Sequence, residues 1–356
     1  MEGKLYSVQY LRAVAATLVV IAHAGAHPLS DSFYVLDRFG QLGVTLFFVI
    51  SGFIMVAITG TGRVAPVDFL RRRVIRLVPL YWAFTTLAAV LALVAPSLFK
   101  STVFTVPHYL QSLLFIPHAA PGTGSASPLL SLGWTLNYEM FFYVCFAACA
   151  LLLAATRVVV LTVVFGALCV FGLVFRPTGV ALQFYANPSL LAFVAGMWVG
   201  LAHVHGRIAA LPRASMWAGA AIAVLGLFAV FAIDREPGEH ATSFVALVVF
   251  AVAVVTVGLR GEALWPRWRV LELLGDASYA TYLVHMFVVG AAVAVIGRLA
   301  GFDNPAMYLG MIALCTVVST AAGTAAHLWF EKPVLRWLRG RPASARVTGR
   351  KAVAQA

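Results

Sequence analysis

The sequence predicts an all-α polytopic membrane protein, with about ten transmembrane helices and both termini in the cytoplasm. Three observations carry that prediction. Of 356 residues, 62% are hydrophobic and only 11% charged, with a mean hydropathy of +0.93. A soluble chain of this length would need far more charge to cover its surface. Apolar runs of about 18–23 residues recur along nearly the whole chain, the length that carries a helix across about 30 Å of hydrocarbon. Lys and Arg fall mostly on alternate connections between those runs, and that asymmetry sets orientation. A β-barrel would show short alternating segments instead.

The runs place helices at 5–25, 40–58, 74–95, 132–155, 157–176, 188–206, 214–233, 242–259, 277–298 and 306–329. With the N-terminus inside and Arg12 set apart within the first helix, 19 Lys and Arg face the cytoplasm and 5 the other side. The inner set holds Lys4, the cluster Arg63, Arg71, Arg72, Arg73 and Arg76, then Arg157, Arg207, Arg213, Arg260, Arg267 and Arg269, and Lys332 with the basic residues after it. The outer set is Arg38, Lys100, Arg176, Arg235 and Arg298. The net charge of +12 is therefore topological, and no nucleic-acid partner is implied.

The connections fit this arrangement. DREPGEH (234–240) is short and mostly acidic, and 96–131 is the longest non-spanning stretch, read as a loop around HAAPGTGSASP (118–128). Residues 1–340 form one transmembrane domain, and 341–356 a basic, small-residue tail expected to be disordered in the cytoplasm. No repeat period appears, and no soluble catalytic domain is expected at either end. The start has features of a cleaved signal, namely Lys4 and the small residues Ala24, Gly25 and Ala26, but Arg12 interrupts the apolar region such a signal needs. A retained first helix is expected. Cys145, Cys149, Cys169 and Cys315 all lie in apolar runs without metal-ligand spacing, so no metal or disulfide framework is expected.

Function has to come from polar residues inside the spans, where an ionisable group costs a few kcal/mol or more. In YLRAVAATLVVIAHAGAH (10–27), Arg12 and His23 are 11 positions apart. At about 100° per residue they share one face, separated by about 16 Å of helix rise. One stripe thus carries a fixed cation toward the cytoplasm and a titratable imidazole toward the exterior. The bland reading is a snorkelling Arg and a His at the outer helix end. His27 is read as a loop residue before Pro28.

FLRRRVIRLVPLYW (69–82) places Arg73 and Arg76 as i, i+3 neighbours. They either mark the cytoplasmic boundary or bind phosphate, which Arg recognises bidentately. SLGWTLNYEMFFYV (131–144) holds Glu139, read as the one acidic residue clearly inside a span. It either supports a nearby imidazole as in general-base catalysis or balances an arginine. In LFFVISGFIM (46–55), Ser51 and Gly52 permit close helix approach. GDASYATYLVHMF (275–287) brings Tyr279 and His285, as packing or as cavity lining.

These segments together resemble the acyltransferase 3 family of integral membrane acyltransferases. The matching pieces are LRAVAATLVVIAH, FFVISGF, RRRVIRLVPLYW, SLGWTLNYE, ASYATYLVH and the closing EKP (331–333), in the family's order from residue 5 to about 340. The opening most resembles the stand-alone exopolysaccharide O-acetyltransferases, without the family's common extracytoplasmic extension. The resemblance implies ten helices, a cytoplasmic acyl-CoA donor and a hydroxyl acceptor reached from outside. It implies an essential His23, with Arg12, Arg73, Arg76 and Glu139 as functional partners. Trp134 stands where the family has its tryptophan.

The expected activity is an O-acyltransferase in a bacterial cytoplasmic (inner) membrane. Acetyl-CoA, or another acyl-CoA, is the donor, with no cofactor besides. The acceptor is an extracytoplasmic or lipid-linked saccharide. His23 acts as general base or acyl carrier, Glu139 supports it, and Arg12, Arg73 and Arg76 bind the donor. Ser51, Trp134, Tyr279 and His285 are candidates to line the cavity. Proton-coupled export or flipping of a saccharide is the competing class, since buried Arg, His and Glu suit it too; an inert assembly partner is a third. The acceptor, the acyl chain length and the oligomeric state are not legible in the sequence.

Overall fold

The computed structural model describes residues 4–26, 34–95, 102–232, 240–299 and 304–339. His27, most of the 234–240 loop and the tail after Arg339 lie outside these. Among the described residues, nine helices are long and apolar enough to cross a membrane.

The first helix, α1 (Tyr6–Ala26), is surrounded by α2 (Tyr34–Thr59), α12 (Arg269–Leu299) and α13 (Pro305–Ala326). Its free N-terminal amides are met by a carboxylate from far along the chain. Glu262 accepts from the Tyr6 amide at 2.5 Å, from the Ser7 amide at 3.1 Å and from the Ser7 hydroxyl. A negative charge there satisfies orphan donors and opposes the positive end of the helix dipole. Lys4 reaches Glu272 and Asp276 at 2.7 Å each. These acids lie in the first turns of α12, which starts at Arg269 rather than at the expected 277.

α2 packs on α8 (Leu190–Val204) through glycines. A Cβ on Gly52 would overlap the Phe193 carbonyl, and one on Gly196 the Val49 carbonyl, so the backbones meet at a distance only glycine permits. Around this crossing Phe48 and Phe142 both stack on Phe193, with centroids at 4.4 and 4.6 Å.

The expected fourth span, 132–155, is shorter than the sequence suggests. A 3₁₀ turn (Ser131–Gly133) leads into α5 (Trp134–Ala148), 15 residues long. That is about 22 Å, less than the hydrocarbon thickness. The reason is Arg157, at the start of α6 (Ala154–Phe175). Its fully buried guanidinium donates to the carbonyls of Cys149, Ala150 and Leu152, to the Thr59 hydroxyl at the end of α2 and to the Gly62 carbonyl beyond it. The carbonyls freed at the end of α5 are thereby satisfied inside the protein, so the helix can stop there. An arginine read as a boundary charge is thus a clamp. All four cysteines are free.

The stretch read as a loop at 96–131 contains a helix, α4 (Val106–Leu113). Thr105 caps it by accepting from the His108 amide at 3.3 Å, and Pro107 occupies its first turn. The expected sixth span, 188–206, corresponds to α8, and a short helix, α7 (Val180–Tyr185), precedes it; the two together are long and apolar enough for one crossing. After α9 (Arg207–Ala210), α10 (Ser215–Ala232) and α11 (His240–Arg260) pair as a hairpin. At the C-terminal end, α13 continues through a π-helical turn (His327–Glu331) into α14 (Lys332–Arg339).

Candidate active site

Five helices converge on a cavity of about 340 Å³. α1 contributes Arg12 and α2 contributes Ser51. α3 (Pro66–Val94) contributes Arg73 and Arg76, α5 contributes Thr135, Glu139 and Tyr143, and α12 adds Tyr279 and Tyr282. The volume falls within the range of small-ligand pockets. Arg339, at the end of α14, also reaches its wall.

The arginines arrive there for local reasons. α3 begins at Pro66, earlier than the expected 74, and so carries the whole RRRVIR segment as helix. Three-residue spacing then turns Arg73 and Arg76 to one side. The Arg73 guanidinium lies 6.0 Å from the Phe69 ring, and its Nε is buried without a hydrogen-bond partner. Arg76 lies 5.7 Å from the Tyr279 ring and is ion-paired to Glu331. Glu331 in turn meets His327 Nδ1 at 2.7 Å. Tyr279 is held by donating to the Leu77 carbonyl at 2.7 Å. Arg12 donates to Gln9 at 3.4 Å.

Glu139 accepts from Ser51 at 3.2 Å and from Tyr143 one turn further along α5. Its partners are therefore hydroxyls, and the expected contact with His23 is not formed. His23 packs instead on His285, with ring centroids 5.0 Å apart and planes at 60°. His23 Nδ1 lies 2.9 Å from the Val19 carbonyl. A carbonyl can only accept, so Nδ1 carries the hydrogen and Nε2 the lone pair. His23 keeps some exposed surface, but it does not line the arginine cavity.

Of the residues proposed from sequence as lining, Ser51 and Tyr279 lie on the cavity wall; Trp134 and His285 lie off it. Trp134 packs edge-on against Phe48 and Tyr138, at 6.5 and 5.9 Å. Tyr282 bridges the two regions: it faces the cavity, donates to the Leu132 carbonyl at 3.0 Å, and has its ring 5.9 Å from that of His285.

Sequence reasoning missed Glu331, a carboxylate only 3% exposed within a membrane-crossing helix. It was visible in EKP and in its four-residue spacing from His327, but the expected last span ended at 329, before it. Tyr143 was missed because a tyrosine among aromatic residues has no distinguishing pattern.

Chemically, the cavity gathers several guanidinium groups around one carboxylate, with tyrosine hydroxyls between. Like charges so placed repel unless an anion joins them, and a guanidinium fork suits phosphate. A sequence model of the acyltransferase 3 family, described as an acyltransferase domain, matches residues 5–324. The chain is 35% identical to "Exopolysaccharide production protein ExoZ" of Rhizobium meliloti (strain 1021), over 88% of this chain and 95% of that one. It is 25% identical to "Acyltransferase MdmB" of Streptomyces mycarofaciens, over 95% and 94%. No solved structure matches the chain. An all-α polytopic membrane protein matched along most of its length, with Arg12, Arg73 and Arg76 gathered on one cavity, the chain belongs to the acyltransferase 3 family.

Proposed function

We propose that this protein moves an acetyl group from cytoplasmic acetyl-CoA to a hydroxyl of an extracytoplasmic or lipid-linked saccharide. The observation that carries this reading is the convergence of Arg12, Arg73 and Arg76 on one cavity with Glu139. Phosphates of the donor bind these arginines, at the end of the bundle where α1 begins. The distribution of Lys and Arg supports a cytoplasmic position for that end, in a membrane we read as a bacterial inner membrane. The exopolysaccharide role in the name of ExoZ supports a sugar acceptor.

His23 lies about 16 Å further along α1, by 11 residues of helix rise. The thin pantetheine arm spans that interval. The path toward His23 runs by Phe47 and Tyr282, whose rings meet edge to face with centroids 6.1 Å apart. There His23 Nε2 takes the proton of the acceptor hydroxyl as its oxygen attacks the thioester carbon. The carbon–sulfur bond breaks, and the proton passes to the leaving thiolate. Direct transfer is preferred to an acyl-His23 intermediate; an acyl group trapped on His23 in the absence of acceptor would reverse that preference.

The test is transfer of labelled acetyl from acetyl-CoA to a saccharide by purified protein in nanodiscs. His23→Ala should abolish it while the protein remains folded and still binds acetyl-CoA. Retained transfer would refute the role of His23. Saccharide movement without acetyl-CoA consumption would favour an exporter.

A further inference from the structure

We propose that His285 is a positioning residue that shares the catalytic proton with His23, so that two adjacent imidazoles hold one proton between them. This rests on the reading of His23 as the base. The two rings come from different helices, α1 and α12, and lie edge to face with centroids 5.0 Å apart. Each has Nδ1 against a carbonyl of its own helix: Val19 at 2.9 Å for His23, and Tyr282 at 2.7 Å for His285. Each Nδ1 must therefore donate, and each neutral ring keeps its lone pair at Nε2.

His285 is fully buried, and its Nε2 has no hydrogen-bond partner. A buried acceptor left unmet is costly unless some state of the protein supplies a donor. The neighbouring imidazole is His23, with its ring centroid 5.0 Å from that of His285, and it gains an Nε2 hydrogen when it removes the acceptor's proton. Other groups facing the pair are committed or distant. The Tyr282 hydroxyl serves Leu132 and Thr135. Tyr308, from α13, donates to the Gly25 carbonyl at 2.6 Å. Asp37, from α2, acts on His23 only through its charge. Arg12 lies three turns away on α1. A second proton would place two like charges on adjacent rings, so the pair carries one.

The proton balance is simple. The acceptor hydroxyl gives its proton to His23 Nε2 as the carbon–oxygen bond forms. That proton is shared with His285 Nε2, then returns through His23 to the thiolate released when the carbon–sulfur bond breaks. His285 touches neither substrate; it lengthens the life of the charged His23 and holds its ring.

His285→Gln removes the second titrating ring while keeping an amide that can donate to the Tyr282 carbonyl. In full-length protein in nanodiscs, kcat should fall about 10²-fold, with KM for acetyl-CoA within about twofold, and the pH–rate profile should move by about one unit. An unchanged profile with kcat near wild type, while His23→Gln is inactive, would overturn this proposal alone. Activity in His23→Gln would overturn the underlying reading of His23 instead. If His285→Gln does not fold, ring-nitrogen NMR of the ¹⁵N-histidine wild type decides the matter. One proton titrating over both rings supports the pair, and two independent titrations refute it.

Discussion

Arg76 and Glu331 form an ion pair between the third membrane helix and the π-helical turn near the end of the chain. The Glu331 side chain is 2% exposed and that of Arg76 25%. One face of Arg76 is thereby fixed and the other is left to the cavity. Breaking such a pair by removing one partner leaves an uncompensated charge, a loss of about 3–5 kcal/mol when fully buried. Glu331→Gln should lower the melting temperature and raise KM for acetyl-CoA roughly tenfold, equivalent to about 1.4 kcal/mol. In a double-mutant cycle with Arg76→Gln, the two effects should be strongly non-additive. Additive effects would mean that the contact holds nothing in place.

Arg73 has no such partner for its buried Nε. Its guanidinium is available to an anion, so Arg73→Ala should raise KM for acetyl-CoA by ten to a hundredfold, roughly 1.4–2.8 kcal/mol, and leave kcat within about threefold. Isothermal titration with acetyl-CoA and with dephospho-acetyl-CoA measures the phosphate contribution directly. Unaltered affinity for both would make Arg73 a boundary charge only.

Glu139 is engaged by Ser51 and Tyr143 among the arginines, away from His23. Its removal should therefore act on the arginine cavity. Glu139→Gln should lower kcat/KM by at least about tenfold, with the pH dependence of kcat retained. A displaced pH profile would show that Glu139 reaches His23 during the reaction.

Outside the membrane helices, His108 and His118 form a buried pair, with Nδ1 of the first 2.5 Å from Nε2 of the second. Burial, and secondarily His118, push the His108 pKa down to about 4. Unfolded, the ring takes its proton near 6.5. The folded segment is thus fully stabilised above about pH 6.5 and loses stability as pH falls from there toward about 4. Protection of residues 104–118, with the intrinsic pH dependence of exchange divided out, should fall over that window in the wild type, and His108→Asn should flatten the dependence. A wild-type segment equally protected at pH 7 and pH 4.5 would exclude this role.

Much of the architecture was legible because membrane helices announce themselves by length and apolarity. The errors are local and have causes. The 132–155 run looks continuous, but Arg157 captures the carbonyls at Cys149, Ala150 and Leu152 and ends α5 early. Hydropathy counts an arginine at a boundary as a boundary. The buried Glu331 was overlooked because the last apolar run stops before it, whereas the helix continues through a π turn.

What the sequence by itself determined is whatever a single helix decides. Eleven residues on a 3.6-residue period put Arg12 and His23 on one stripe, and three residues set Arg73 beside Arg76. Tertiary structure alone decided which stripes meet. It brought Glu262 to the start of α1, Glu331 to Arg76, Ser51 to Glu139 and His285 to His23. Periodicity names a face, but the rotation and closeness of neighbouring helices choose its partner. Those follow from packing such as the glycine contact between α2 and α8, which joins residues far apart along the chain.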